Sequence, residues 1–169
     1  MDKIETVSDL EALKALLAAA DLPISDIGAS QTFFGIYSGP TLVAAIGLEW
    51  AGSAGLLRSL VVSTAHQKQG LARRLVRHAE GHAAAKGVTT LYLLTTTAQP
   101  FFERLGFVST SRASAPPSIA STAQFAGLCP ASAAFLNKAI DGFKSISPAD
   151  AGAIATGASS QYASNSGPR

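Results

Sequence analysis

The fold of this 169-residue chain is indicated by one segment, Leu60-Val61-Val62-Ser63-Thr64-Ala65-His66-Gln67-Lys68-Gln69-Gly70-Leu71-Ala72-Arg73-Arg74. An apolar run typical of a strand ends at Val62, and a helical pattern begins at Leu71. Gly70 lets the backbone turn and bring successive N–H groups toward one point, where the helix start adds a partial positive charge. Ala72 keeps side-chain bulk away from the first helical turn. The segment therefore predicts a loop that binds phosphates.

The charges around this loop support the same interpretation. The first turn of a helix normally favours Asp and Glu, but here Lys68, Arg73 and Arg74 occur with no acid before Glu80. An anionic ligand with several phosphates would supply the missing negative charge. The alternative is a solvated basic helix face. The strand, the loop and the glycine together favour the ligand.

Hydrophobic periodicity predicts further strands and helices on both sides of this segment. A capping box over 8–11 predicts the start of the first helix. The predicted elements are a helix over 9–20, an antiparallel hairpin of strands 32–37 and 41–50, a strand over 56–62, a helix over 71–86 that Gly87 ends, a strand around 91–94, a short helix over 100–105 before Gly106, a short helix over 117–126, and a last strand over 132–138 that begins near Pro130.

Length and composition limit the classes of protein. Hydrophobic residues make up 47% and charged residues 14%, which predicts one packed domain over 1–143. Residues 144–169 are rich in Ala, Ser and Gly and are predicted to be a disordered tail. No apolar run approaches a membrane span and no signal peptide is evident, so we expect a cytoplasmic protein without a membrane partner. The net charge of +2 does not indicate a nucleic-acid partner, and a single cysteine, Cys129, argues against a multi-cysteine metal site. We expect no metal.

The chain resembles the GNAT acetyltransferases over roughly residues 4–140. The resemblance is carried by Leu60-Val61-Val62 before Gln67-x-x-Gly70-x-Ala72, by the strand at 91–94, and by Phe-Phe-Glu-Arg-Leu-Gly-Phe at 101–107. A narrower match, at 57–60, 91–97 and 128–132, is similar to the arsenic-resistance-associated bacterial subfamily. The resemblance implies the GNAT acyl-CoA N-acyltransferase fold. This is an α/β (α+β) fold whose mixed, mostly antiparallel central sheet is flanked by helices and splayed at the cofactor site.

The resemblance also implies acetyl-CoA as the acetyl-donor co-substrate. Pantetheine would lie in the gap beside a bulge in the strand over 56–62 and bond to main-chain groups of Val61 and Val62. The residues expected to bind the cofactor are Leu60, Val61, Val62, Gln67, Lys68, Gln69, Gly70, Leu71, Ala72, Arg73 and Phe101.

In the family, a deprotonated amine attacks the thioester directly, and a backbone N–H near Val61 or Val62 stabilises the oxyanion. Relatives place a tyrosine on the short helix to protonate the departing thiolate, but the matching residue here is Phe102, which has no proton to give. The remaining candidates for the general acid are Ser59, Thr96, Thr97 or a water. Alternatively, the thiolate leaves without an acid.

Glu49 is the predicted general base, because it is the one carboxylate between Asp26 and Glu80 and lies on a strand expected beside the cleft. The alternative is an exposed glutamate at the end of the hairpin. Arg58 interrupts an apolar strand, so its burial would require an anion from the protein or from the substrate. Arg58, Thr95 and Cys129 are the predicted substrate-binding residues, although a lone cysteine can equally be a small buried hydrophobe.

The sequence thus predicts an N-acetyltransferase that acetylates the amine of a small molecule, with a link to arsenic resistance implied by the narrower match. A protein or peptide N-acetyltransferase would use the same fold. The missing tyrosine motivates a different class, a non-catalytic acyl-CoA-binding module. A partner-binding role for the tail is a further alternative, and similar proteins allow a homodimer.

Overall fold

The computed structural model describes residues 3–128 and 130–140. The predicted tail at 144–169, the proposed domain boundary before it and Cys129 therefore lie outside the described residues. The strands in the described part are β1 (Ile4–Thr6), β2 (Thr32–Ser38), β3 (Thr41–Ala51), β4 (Ala54–Val62), β5 (Thr90–Thr95), β6 (Val108–Ser109) and β7 (Ala134–Ala139). The helices are α1 (Leu10–Ala19), α2 (Leu71–Ala85), α3 (Gln99–Arg104) and α4 (Pro117–Ala120), with a π-helical turn at Gln124–Leu128 and short 3-10 turns at Thr64–His66 and Arg112–Ser114.

The described strands form one sheet in the order β1-β2-β3-β4-β5-β7-β6. Only β4 and β5 are parallel, and the other neighbouring pairs are antiparallel. Phe33 packs with α1 in one core cluster and Phe34 packs with α2 in another. Adjacent residues of a strand point to opposite faces, so the two helices cover opposite faces of the sheet. The predicted fold class, a mixed and mostly antiparallel sheet between helices, is confirmed.

The structure corrects several local predictions. Asp9, and not Ser8, caps α1, because its side chain accepts a hydrogen bond from the Ala12 amide at 3.1 Å. The helix predicted over 117–126 ends at Ala120, where the Thr122 hydroxyl donates to the Ile119 carbonyl and competes with the helical pattern. The last strand begins at Ala134 and not near Pro130.

The strands β1 and β6 were not predicted. They contain three and two residues, which is too short for an alternating pattern to show. Among the described residues, no helix has both the length and the apolar character needed to cross a membrane.

Candidate active site

A bulge in β4 shapes the centre of the sheet. Val61 pairs with Ala45 and Arg58 pairs with Gly47, so two residues of β4, Ser59 and Leu60, face a single residue of β3. Ser59 has a φ of +56°, in the left-handed region that non-glycine residues seldom adopt. A bulge bends its strand and increases the local twist. The second half of β4 is therefore turned away from its first half.

The bend opens a gap between β4 and β5. Their parallel ladder runs from Ala54 opposite Thr90 to Leu56 opposite Tyr92 and ends there. Beyond Leu56, no residue of β5 pairs with β4 in the part of the chain that the structure describes. The sheet is thus splayed at its middle, as the fold class predicts, and main-chain groups of β4 face the gap.

Val62 directs its main chain into this gap. The Ser63 amide donates to the Val43 carbonyl of β3 at 2.8 Å. Backbone groups of successive residues alternate between the two sides of a strand, so those of Val62 face away from β3 and those of Val61 face toward it. The Val62 carbonyl accepts from the side-chain amide of Gln67 at 3.2 Å, which agrees with this orientation.

The loop after β4 ends at Gly70, which opens α2 with a φ of +79°. Lys68 is also left-handed, with a φ of +66°. A Cβ atom added to Gly70 would meet no other atom within 4 Å, so the backbone conformation and not crowding calls for glycine. No side chain caps the start of α2, and its first turn contains no acid. The backbone N–H groups at the start of α2, together with the positive end of the helix dipole, suit an anion such as a diphosphate.

A cavity of about 370 Å³ lies at the gap. Its wall combines apolar side chains with hydroxyl groups, one buried amide and the loop after α1. The lining residues include Leu57, Leu60, Leu93, Leu94, Phe102, the hydroxyls of Ser59, Thr95, Thr96 and Thr97, the amide of Gln124, and Asp21, Leu22 and Pro23. Such a mainly apolar hollow with a few polar groups is typical of a small-molecule site.

Arg58 lies under this cavity with its side chain completely buried. Its Nη2 donates to Asp26 Oδ1 at 2.7 Å, and its Nη1 donates to Asp26 Oδ2 and, at 2.9 Å, to Glu49 Oε2. Its Nε donates to the hydroxyl of the bulge residue Ser59 at 3.0 Å. The protein itself therefore supplies the anions that burial of Arg58 requires, which was one of the two alternatives that the sequence left open.

The same contacts shift the pKa values of Asp26 and Arg58. The hydrogen bond from Arg58 is the main reason that the pKa of Asp26 lies below its usual 3.8, and it outweighs the opposing effect of burial. Burial alone would lower the pKa of Arg58, but the hydrogen bonds to Asp26 and Glu49 together raise it above its usual value. Asp26 and Arg58 are thus held in their charged forms at neutral pH.

Residues 6–107 match the sequence profile of the acetyltransferase (GNAT) family. This chain belongs to that family. The sequence matches no curated protein.

Solved structures share the GNAT fold at low sequence identity. N-acetylglutamate synthase from Neisseria gonorrhoeae, crystallised with coenzyme A and N-acetyl-glutamate, is 19% identical with a TM-score of 0.71, over 83% of this chain and 35% of its own. The ribosomal-protein-S18-alanine N-acetyltransferase from Escherichia coli is 20% identical with a TM-score of 0.65, over 83% of this chain and 95% of its own. PaiA N-acetyltransferase from Thermoplasma acidophilum, crystallised with coenzyme A, is 14% identical with a TM-score of 0.59, over 82% of this chain and 99% of its own.

This chain spans about a third of the length of the N-acetylglutamate synthase structures that it matches, 35% in one and 33% in another. Likeness at this level of identity shows the fold. The substrate has to be inferred from the site.

The structure brings most of the predicted cofactor residues of this GNAT protein to one place. Leu60, Val61 and Val62 form the bulged end of β4, and the loop over 67–70 leads from it into α2. Within this set, Leu71 is buried and Arg73 is exposed, while Ala72 is half-buried. Phe101 is half-buried and contacts the edge of Phe102, with ring centroids 5.1 Å apart. Val62, rather than Val61, offers main-chain groups to the gap.

The predicted catalytic and substrate residues divide into two groups. Ser59, Thr95 and Thr96 line the cavity, although the Thr95 hydroxyl also accepts from the Ala98 amide at 3.0 Å and so holds the start of α3. Glu49 is bonded to Arg58 and is not among the described residues that line the cavity. The neighbours of Cys129 in sequence, Leu128 and Pro130, do line it.

Sequence reasoning missed Asp26, Asp21 and Gln124. Asp26 lies 32 residues before its partner Arg58, in the loop between α1 and β2. A usable signal existed, because an arginine inside an apolar strand requires a nearby carboxylate and Asp26 is one of few candidates. Asp21 lies in the loop after α1, and Gln124 begins the π-helical turn at Gln124–Leu128, inside the range predicted as an ordinary helix. Helical periodicity does not say which side chain reaches a cavity, so no local signal indicated either residue.

Proposed function

We propose that this GNAT protein transfers an acetyl group from acetyl-CoA to the amine of a small molecule by direct attack. One observation carries the choice of cofactor: the left-handed Gly70 opens α2 without a side-chain cap, at the end of the loop that follows β4, and the Val62 main chain at the end of β4 faces the gap. This arrangement suits a ligand that joins a diphosphate to a chain with amide groups. Neighbours of the same fold were crystallised with coenzyme A, which supports the choice of ligand.

The residues present fit such a ligand. The N–H groups at the start of α2 would hold the diphosphate, and the exposed Lys68 and Arg73 would add positive charge. Main-chain groups of Val62 would align the pantetheine. When bound, acetyl-CoA supplies the thioester carbon that the amine attacks. The Val62 N–H, directed away from β3, would donate to the carbonyl oxygen on which negative charge develops.

For proton transfer, we propose that Glu49 receives the proton of the amine through water. Its carboxylate is 17% exposed, so water can reach it even though Oε2 accepts from Arg58. The hydroxyls of Ser59, Thr96 and Thr97 lie on the cavity wall and are the proposed proton donors to the thiolate. Because a thiolate is a good leaving group, we expect their contribution to be small.

The size of the cavity supports a small acceptor. About 370 Å³ is near the lower end of the range for small-molecule pockets. One observation favours a second candidate, a non-catalytic acyl-CoA-binding module, because Phe102 lines the cavity and carries no hydroxyl. The link to arsenic resistance rests on the narrower sequence match alone, and growth on arsenicals with the parent gene or with Glu49→Gln would test it.

The experiment that tests cofactor binding compares two glycines of α2. Gly70 and Gly87 flank the helix, both have positive φ, and a Cβ added to either meets no atom within 4 Å. Replacing either by alanine should therefore cost a similar ~1–2 kcal/mol of stability. We expect Gly70→Ala to weaken coenzyme A binding at least about tenfold, because its Cβ would point toward the diphosphate. Gly87→Ala, at the far end of the helix, should leave the affinity unchanged.

Isothermal titration calorimetry with coenzyme A measures the affinity, and urea unfolding measures the stability of each variant. Equal affinity in Gly70→Ala and the parent protein would contradict the proposed binding mode.

A further inference from the structure

The charge of the cavity wall carries information about the acceptor. Of the described residues that line the cavity, two carry charge at neutral pH, Asp21 and Arg58. The guanidinium of Arg58 is already bonded to the carboxylates of Asp26 and Glu49. Its positive charge is therefore already neutralised by the protein and is not available to bind a substrate.

The cluster under the cavity has an excess of negative charge. One guanidinium and two carboxylates sum to −1, and Asp21 adds a further negative charge on the wall. An ammonium group entering the cavity would be attracted by this field. A carboxylate entering it would lose its water, face like charges and find no unneutralised cation among the described lining residues. The remainder of the wall, leucines and threonine hydroxyls, suits an apolar body.

We propose that the acceptor is an amine with an apolar body and no carboxylate, a specificity that rests on the proposed acetyltransferase function. The amine would enter past Asp21, and the apolar body would pack on Leu22, Pro23 and Leu128 of the same wall, apart from the residues proposed to hold the cofactor. This separates the chain from the structural neighbour that was crystallised with N-acetyl-glutamate, an acidic product, despite their common fold.

Matched acceptors test this proposal, and a thiol reagent measures the coenzyme A that is released. Pentylamine and 5-aminopentanoate have amines of similar basicity and differ by a remote carboxylate, and so do 2-phenylethylamine and 4-(2-aminoethyl)benzoate. We expect the kcat/KM of the carboxylate-free member of each pair to be higher by at least about tenfold. Equal or faster reaction of the acidic members would overturn the specificity and leave the proposed function standing. No release with any amine would overturn the proposed function itself.

Two variants test whether the cavity charge causes the discrimination. Asp21 has a φ of +59°, a conformation that asparagine tolerates, so Asp21→Asn removes the charge with little strain. We expect the ratio of kcat/KM values to fall about threefold in this variant, because Asp21 is exposed and its field is screened. Glu11→Gln, on the exposed side of α1, makes the same change in net charge and should keep the parent ratio. An unchanged ratio in Asp21→Asn, or an equal fall in both variants, would overturn the proposal.

Discussion

Asp26→Asn should destabilise the protein strongly, because Asp26 accepts two of the hydrogen bonds of a fully buried guanidinium. The substitution keeps the shape of the side chain and removes its charge. It also presents an NH2 group to Arg58, which donates at every nitrogen. Removing one partner of a buried ion pair costs about 3–5 kcal/mol. Glu49 still holds Arg58 at 2.9 Å, so we expect the lower end, about 3 kcal/mol.

Thermal and urea unfolding measure this loss. In a domain of this size, about 3 kcal/mol corresponds to a fall in Tm of roughly 10 °C. The urea m-value should not change, because the folded state buries the same surface. Glu11→Gln is the control, since Glu11 is exposed and lies 3.7 Å from Lys14 in a surface pair. Such pairs contribute at most about 1 kcal/mol.

The double variant Asp26→Asn/Arg58→Met separates a buried charge from simple loss of packing. With these two charges removed, only the Glu49 carboxylate keeps its charge, and it is 17% exposed to water, so part of the stability lost in Asp26→Asn should return. A loss below about 1 kcal/mol in Asp26→Asn, or a double variant in which the two losses simply add, would refute the role given to this pair.

Three further predictions concern protons. Glu49→Gln keeps an acceptor for Arg58 but removes the proposed base, so kcat should fall about a hundredfold; a kcat equal to that of the parent would contradict this. Single removal of each cavity hydroxyl should change kcat by less than about threefold, and a hundredfold loss in any one would identify a general acid. Burial lowers the pKa values of two α2 histidines below the usual 6.5, with Lys86 contributing at the second. As the pH is lowered, the histidines of the unfolded chain therefore take up protons at a higher pH than those of the folded protein. The free energy of unfolding should then fall as the pH drops below about 6.5. Urea midpoints at pH 7.5 and 5.5 measure this. In these predictions the cavity hydroxyls are those of Ser59, Thr96 and Thr97. The two histidines of α2 are His78 and His82.

Matched variants serve as controls for these predictions. Asp26→Asn removes a carboxylate from Arg58 as Glu49→Gln does, but it leaves the proposed base in place, so kcat should stay within about threefold of the parent value. Replacing both histidines by glutamine should flatten the dependence of stability on pH between 7.5 and 5.5. A parent protein that is equally stable at both pH values would contradict the histidine prediction.

The sequence alone determined the local elements around the predicted phosphate-binding loop and the family to which they belong. The predicted helix over 71–86 is α2, and the predicted hairpin is the antiparallel pair of β2 and β3. Helix periodicity, a glycine at a left-handed position and a tight turn are properties of neighbouring residues. They can therefore be inferred without knowing where the rest of the chain lies.

Tertiary structure alone decided the interior of the site. The bulge at Ser59 depends on how β4 pairs with β3, and the ion pair of Arg58 joins residues 32 positions apart. The cavity wall combines β4 and β5 with loops that have no periodic pattern, among them the one that contains Asp21. The position of a bulge and the partner of a buried arginine depend on packing of the whole sheet, so no short stretch of sequence encodes them.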